Sequence, residues 1–355
     1  MSKLDNAKLI KKLDPSDMLR FISGLPEQCL DAYRIGVSGN INKPAEKINN
    51  IVFSGVGGSG IGADLAKVYL EGELGIPVSI CRNYKLPEFA GETTLLFCSS
   101  YSGNTEETLS CFEEGLRKRA FIIAVGSGGR LKDLSLKNNI THIAIPAGYP
   151  PRAAIGYMSI TVLGILAGLG LIKDKEKDVK ELYSALTCLR DEEIGTGVPS
   201  KHNISKQLAE KLYKRYCVIY GTAGVTEAVS SRWREQIAEN SKSLSSANVL
   251  PEMNHNEIVG WRFPEKLLKR FKVIMLSDKD DHGKIKERIR ISSGIIKKTG
   301  AEVIELKRDA GGRLARVYSL LYIGDFASFY LAILNNVDPT PVETIDYLKK
   351  ELGKT

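Results

Sequence analysis

Short apolar runs alternate with longer amphipathic segments in the first part of the chain, up to the proline pair Pro150-Pro151. Apolar runs of strand length, separated by segments of helical periodicity, are typical of a parallel, doubly wound sheet. We also expect helices within residues 1–40, where Asp14-Pro15-Ser16-Asp17 is a helix-start signal. The predicted strands are Ile48–Phe53, Pro77–Cys81, Thr94–Cys98, Phe121–Val125 and His142–Ile145, and the predicted helices are Ile61–Glu71 and Thr105–Arg119.

The second half of the chain repeats this scheme. Two helices, Ala153–Leu171 and Lys173–Glu193, lead to the stretch Gly195–Pro199, whose clustered Gly and Pro indicate a linker. The sequence therefore predicts two α/β domains of one architecture, residues 1–195 and 200–355, each a mainly parallel sheet flanked by helices. In the second, we predict the strands Cys217–Tyr220, Lys272–Leu276 and Glu302–Leu306, and the helices Ser205–Lys214, Val225–Lys242, Gly283–Lys298 and Arg313–Asn335, followed by a C-terminal helix.

The length, charge and cysteine content of the chain limit which kinds of partner we expect it to bind. A chain of 355 residues is long enough for two ordinary domains, and 43% hydrophobic with 26% charged residues is typical of globular proteins. The net charge of +8 comes from dispersed Lys and Arg, so we expect no nucleic-acid partner. The longest apolar run, Tyr157–Ile172, is short for a membrane span, and the start of the chain is polar. With six scattered cysteines, we expect a cytoplasmic protein without a membrane partner.

Hydroxyl side chains cluster where the strand Thr94–Cys98 gives way to a helix. Ser100, Ser102 and Thr105 lie within six residues around Gly103. The first turn of a helix offers free N–H groups and the positive end of its dipole, so it attracts anions. Helix capping is the simpler explanation, but a cap needs one hydroxyl and here there are three. We therefore favour a phosphate-binding loop.

The stretch Gly55–Gly60 matches G-x-G-x-x-G between a strand and a helix, and it has two interpretations. As a dinucleotide fingerprint it requires an acidic residue at the end of the next strand, where this chain has Arg82. Arg82 suits a 2′-phosphate, so an NADP-dependent enzyme stays open as an alternative. The interpretation that we prefer is that the glycines let Gly58 and Ser59 approach the same phosphate as the hydroxyl loop.

Candidate acid–base groups lie in the second half of the chain. Glu239 stands near the end of a long predicted helix, and His255 follows between Asn254 and Asn256. Of the four histidines, only His255 lies among side chains able to set its tautomer and charge. No cysteine or histidine spacing indicates a metal site, and we expect no metal or other cofactor.

Taken together, these segments resemble a known family. The loop Ser100–Thr105 resembles the phosphosugar-binding loop of sugar isomerase (SIS) domains. The wider set is similar to the archaeal and bacterial bifunctional phosphoglucose/phosphomannose isomerases, over the chain from about residue 35 onward. That set comprises Gly57–Gly60, Pro151-Arg152, Glu239–Lys242, Asn254–Glu257 and Ile345–Lys349.

The resemblance implies two SIS-type, flavodoxin-like domains and an aldose–ketose isomerase of glycolysis and gluconeogenesis. Its substrates would be glucose 6-phosphate, fructose 6-phosphate and mannose 6-phosphate. It implies phosphate binding by Gly58, Ser59, Ser100, Ser102 and Thr105. It further implies these catalytic roles: Glu239 as the base that moves a proton between C1 and C2, Arg152 as the enediolate stabiliser, and His255 and Lys349 in ring opening.

Two further implications concern assembly and specificity. In this family the histidine comes from the neighbouring subunit, which implies a homodimer with shared active sites. A small threonine near the C-terminus of family members makes room for the mannose epimer, and Thr340, Val342 and Thr344 are the candidates here. A non-catalytic sugar-phosphate-binding protein with the same hydroxyl loop is the alternative from another functional class.

Overall fold

The computed structural model describes residues 2–42, 44–309 and 311–352. Contacts between residues divide the chain into two compact units. The first comprises Gly24–Thr187 and Asp309–Tyr318, and the second comprises Met1–Ser23, Cys188–Arg308 and Ser319–Thr355. Because these units are not contiguous in sequence, the boundary predicted between residues 195 and 200 stays a prediction.

The strands and helices follow the alternation expected from the sequence. The strands are β1 (Asn50–Ser54), β2 (Val78–Cys81), β3 (Thr94–Ser99), β4 (Phe121–Gly126), β5 (Thr141–Ala144), β6 (Tyr216–Thr222), β7 (Ser245–Leu250), β8 (Phe271–Asp278) and β9 (Glu302–Arg308). The helices are α1 (Ala7–Leu13), α2 (Met18–Ser23), α3 (Leu25–Ser38), α4 (Gly57–Leu70), α5 (Glu106–Arg117), α6 (Gly129–Lys137), α7 (Ile155–Gly168), α8 (Glu176–Leu189), α9 (Ile204–Leu212), α10 (Glu227–Ser241), α11 (Glu265–Leu268), α12 (Gly283–Lys297), α13 (Arg313–Asn335) and α14 (Glu343–Leu352).

The first unit contains a five-stranded sheet in the order β2-β1-β3-β4-β5. All its strand pairs are parallel. Every residue of β3 is buried, as expected for the centre of a sheet with helices on both faces. The order is that of flavodoxin-like folds and differs from the order 3-2-1-4-5-6 of dinucleotide-binding folds. The Gly-rich stretch after β1 therefore does not open a dinucleotide-binding sheet.

The second unit contains a four-stranded parallel sheet in the order β7-β6-β8-β9. Its first three strands repeat the order of β2, β1 and β3 in the first sheet. The sequence pattern did not predict β7, the helix α6 of the first unit or the short helix α11. The prediction of two doubly wound, mainly parallel sheets flanked by helices is confirmed.

The helix α13 is long and apolar enough to cross a membrane. Its most apolar window is, however, wholly buried inside the protein. Residues up to Tyr318 belong to the first unit and the rest to the second. Burial on all sides is what a core helix of a globular domain shows, so the length of α13 is weak evidence for a membrane span.

Candidate active site

In the first sheet, two loops leave the carboxyl ends of the neighbouring strands β1 and β3. The chain runs from β1 to β2 on one side and from β3 to β4 on the other, so this is the switch point where open α/β sheets bind ligands. A Cβ atom on Gly55 would lie 2.9 Å from the Ser99 carbonyl oxygen and 3.1 Å from the Ser59 Cβ. The Gly-rich loop and the hydroxyl loop therefore lie against each other and form one surface.

The hydroxyl groups of the second loop bond to one another. The Ser100 Oγ lies 2.8 Å from the Thr105 Oγ1 and accepts the N–H of Gly103 at 3.1 Å. Ser100 and Ser59 are buried, whereas Ser102 is exposed and its Oγ accepts the Asn104 N–H at 3.3 Å. The structure therefore brings the predicted hydroxyls to the two loops of the switch point.

Helix capping does not account for these hydroxyls. Thr105 is the N-cap of α5 and Val56 that of α4, and in the described chain neither side chain makes a capping hydrogen bond. No cap hydroxyl therefore accepts the N–H groups in the first turns of α4 and α5. Two helix N-termini at one crevice, together with hydroxyl donors, suit a dianionic phosphate.

Arg152 lies beside the Gly-rich loop. It belongs to the 3₁₀ turn Pro151–Ala153, and its side chain is buried. A Cβ atom on Gly58 would lie 3.1 Å from the Pro151 carbonyl oxygen and 3.6 Å from the Arg152 Cα. The backbone of Arg152 therefore lies against Gly58, and its guanidinium is permanently charged.

In the second unit, Glu239 is half-buried on the last turn of α10 and lines a cavity of about 740 Å³. The opposite wall is the segment 337–345, where α14 begins. Lys242 fixes this wall, because its Nζ donates to the Glu239, Pro341 and Pro339 carbonyl oxygens at 2.5, 2.7 and 3.0 Å. Of the three candidates for the small residue, Val342 and Thr344 line this cavity and Thr340 does not.

His255 and Lys349 lie outside this cavity. His255 ends the 3₁₀ turn Glu252–His255 and is exposed, close in sequence to the exposed side chains of Val259 and Phe263. Lys349 is exposed on α14, four residues beyond Ile345, which lines the cavity. The second unit thus gathers Glu239 and the segment 337–345 but leaves His255 and Lys349 on its surface.

The switch point of the second sheet contains a group that sequence reasoning missed. Asp281, after β8, accepts the Thr222 hydroxyl at 2.6 Å and the Asp278 N–H at 2.7 Å. The hydroxyls of Thr222 and Thr226 lie 3.1 Å apart. Burial raises the pKa of Asp281, against the hydrogen bonds from Asp278 and Thr222, which lower it. Hydroxyls at the end of β6 and an acid after β8 are a weak sequence signal, because β7 lies between them in the chain.

The chain is similar to known proteins. Residues 201–352 match the bacterial phospho-glucose isomerase C-terminal SIS domain. The chain is 42% identical over 337 residues, 95% of its length and 99% of the relative's, to a bifunctional phosphoglucose/phosphomannose isomerase of Caldicellulosiruptor bescii. It is 37% identical, over 89% and 94% of the two chains, to the protein of that name from Aquifex aeolicus. A glucose-6-phosphate isomerase like protein from Thermus thermophilus has a similar fold, with a TM-score of 0.62, 20% identity and 99% coverage of each chain.

Proposed function

Since the chain belongs to the family of bifunctional phosphoglucose/phosphomannose isomerases, we propose that it interconverts glucose 6-phosphate and mannose 6-phosphate with fructose 6-phosphate. The chain is accordingly an aldose–ketose isomerase. The observation that carries the choice of phosphorylated sugars is the crevice of the first sheet, where two helix N-termini and several hydroxyls meet. Such a crevice binds a phosphate through neutral donors and a helix dipole.

In this proposal, the phosphate anchors the sugar. Ser59, Ser100, Ser102 and Thr105 donate hydroxyl hydrogen bonds, and the backbone at Gly58 comes close because no side chain intervenes. Hydrogen bonds to a charged acceptor contribute about 1.5–3 kcal/mol each. The phosphate is unchanged in the reaction, so these contacts bind substrate and transition state alike and lower KM.

The chemistry is proton transfer through an enediolate. Glu239 takes the proton from C2 of the aldose and returns it to C1, while a hydroxyl proton passes from O2 to O1 to give the ketose, so that no atom is gained or lost. The reverse reaction removes a proton from C1. The Arg152 guanidinium is the permanent cation that we assign to the developing negative charge on the enediolate oxygen. The half-buried position of Glu239 beside an open cavity supports its assignment as the base.

Ring opening and assembly belong together in this proposal. We assign His255 and Lys349 to opening the sugar ring, with His255 supplied by the partner in a homodimer with shared active sites. Exposed apolar side chains support such an interface, because Val259 and Phe263, close to His255 in sequence, are 79% and 65% exposed. The helix α14, which carries Lys349, also exposes apolar side chains, namely Ile345, Tyr347, Leu348 and Leu352.

Tolerance of the mannose epimer would depend on the wall opposite Glu239. Val342 and Thr344 are the candidates that reach the cavity. We also propose that the enzyme acts in the cytoplasm, where thiols stay reduced. Its six cysteines are all free, and five of them are buried, which supports that location.

The test is a panel of phosphorylated aldoses and ketoses with purified protein, followed by NMR of the sugar carbons. Conversion of fructose 6-phosphate to both glucose 6-phosphate and mannose 6-phosphate is expected. Binding of fructose 6-phosphate without conversion would favour the non-catalytic alternative. Thermal stabilisation by NADP but not by a sugar phosphate would favour the dinucleotide alternative, since a ligand stabilises the state that binds it.

A further inference from the structure

A carboxylate clamp joins the segment that carries His255 to the second sheet. Glu257 accepts the Tyr220 hydroxyl through Oε1 and the Asn248 side-chain amide through Oε2, each at 2.5 Å. Tyr220 on β6 and Asn248 on β7 are register partners in the parallel sheet, so both donors stand side by side. One carboxylate therefore spans two neighbouring strands.

The donors of this clamp are themselves fixed. Tyr220 is fully buried, and its hydroxyl accepts the Trp261 Nε1–H at 2.8 Å. Burial, together with the hydrogen bond to Glu257, raises the pKa of Tyr220, so its phenol stays protonated and keeps its role as donor. The clamp is a closed set of Trp261, Tyr220, Glu257 and Asn248, in which each donor has an acceptor.

Other bonds hold the residues on both sides of His255. On one side, Met253 is fully buried, and the Asn254 Nδ2 donates to the Ser292 Oγ on α12 at 2.7 Å. Across it, the Asn256 Nδ2 donates to the Glu252 Oε1 at 2.7 Å. The turn is thus tied to α12 before His255 and to the sheet after it.

The His255 imidazole, unlike its neighbours, is not held by hydrogen bonds among the described residues. Among the described residues, no hydrogen bond or ion pair involves the His255 side chain, and it is exposed. Its position therefore depends on the backbone that carries it. A mobile backbone would spread the imidazole over several positions, and a misplacement of about 1 Å can cost about a hundredfold in rate.

From this geometry we infer that Glu257, held by Tyr220 and Asn248, is a positioning residue that fixes the turn presenting His255 for ring opening. The inference rests on the proposed function for the role of His255. Glu257 touches no reacting atom in this scheme. It acts by holding the backbone two residues away from the imidazole.

Ring opening can be separated from proton transfer by the choice of substrate. The furanose ring of fructose 6-phosphate closes through the 5-hydroxyl, so 5-deoxyfructose 6-phosphate stays in the open-chain form. That ketose needs the base and the phosphate loop but no ring-opening step. A change that misplaces only His255 should therefore slow the cyclic substrate and spare the open-chain one.

The experiment compares Glu257→Gln and Tyr220→Phe with the wild type and with Glu265→Gln, an exposed glutamate of the same segment. With fructose 6-phosphate we expect kcat to fall roughly 10- to 100-fold in both clamp variants, with KM within about twofold. With the open-chain ketose we expect rates within about twofold of the wild type. Glu265→Gln should match the wild type on both substrates.

Amide hydrogen exchange of residues 252–258, measured on the same proteins, makes the clamp testable without activity. Exchange should quicken in Glu257→Gln and Tyr220→Phe and stay unchanged in Glu265→Gln. Unchanged exchange, or an equal loss of rate on both ketoses, would overturn the inference. A wild type that turns over neither ketose would instead refute the proposed function, while the exchange data would still decide whether the clamp exists.

Discussion

Replacing Ser100 by Ala tests whether the hydroxyl loop binds the phosphate. Within the protein, the Ser100 Oγ accepts the Gly103 N–H and lies 2.8 Å from the Thr105 Oγ1. The Gly103 N–H also reaches the Ser100 carbonyl oxygen at 3.1 Å, so this N–H keeps an acceptor in the variant. The stability lost should therefore be that of one ordinary hydrogen bond, about 1 kcal/mol.

The expected loss in ligand affinity is larger than the loss in stability. A hydroxyl that donates to a phosphate oxygen contributes about 1.5–3 kcal/mol, which corresponds to roughly 10- to 150-fold in Kd. Calorimetric titration with fructose 6-phosphate measures this directly, and urea unfolding measures the stability. KM should rise by a similar factor while kcat changes little, because the phosphate contacts are equal in ground and transition states.

Ser110→Ala is the matched control for this variant. Its hydroxyl donates to the Tyr84 carbonyl oxygen at 2.8 Å from α5, outside the hydroxyl loop. It should cost a similar amount of stability and leave the affinity unchanged. Equal affinities of Ser100→Ala, Ser110→Ala and the wild type would refute phosphate binding by this loop.

Three further predictions concern stability. Gly103→Ala should lower the unfolding free energy by about 2–5 kcal/mol in urea, because Gly103 has a φ of +70° and its Cβ would lie 1.8 Å from the Gly128 carbonyl oxygen. Arg232→Met should lower the unfolding free energy by about 3–5 kcal/mol, because it removes the guanidinium that donates to the buried Asp325 carboxylate at 3.1 and 2.9 Å. Adding Asp325→Leu should restore most of the lost stability. Burial raises the folded-state pKa of Asp281 above its ordinary value of 3.8, so protonation of this carboxyl stabilises the folded state. This stabilisation is complete below pH 3.8 and is lost as the pH rises through the folded-state pKa. Over that pH range, the unfolding free energy of the wild type should fall relative to that of Asp281→Asn.

Much of the fold was accessible from the sequence because burial on both faces makes strands apolar. β3 and the central residues of β8 are runs of buried side chains, and the apolar pattern predicted both. β7 was missed because it is an edge strand with the polar sequence Ser-Ser-Ala-Asn at its start. Backbone hydrogen bonds to β6 stabilise β7, and the local sequence pattern does not indicate such strand pairing. α6 was missed because it begins at Gly128-Gly129, which the pattern treats as a turn.

The candidate site likewise has features that the sequence predicts and features that it does not. The hydroxyl loop was predictable because its residues are contiguous and their chemistry is local. The proximity of Arg152 to Gly58 was not, since it depends on a 3₁₀ turn far along the chain. The clamp on Glu257 depends on strand register, which places Tyr220 beside Asn248. Register follows from the packed sheet and is invisible in a single sequence.

The account's central claim is that Glu239 moves a proton between C1 and C2 of a sugar phosphate. The direct measurement is isomerisation of fructose 6-phosphate in D₂O, followed by NMR of the glucose 6-phosphate formed. The wild type and Glu235→Gln, a change one turn earlier on α10, should place deuterium at C2. Glu239→Gln should slow this incorporation about a hundredfold or more while still binding fructose 6-phosphate. Incorporation at the wild-type rate in Glu239→Gln would contradict the account.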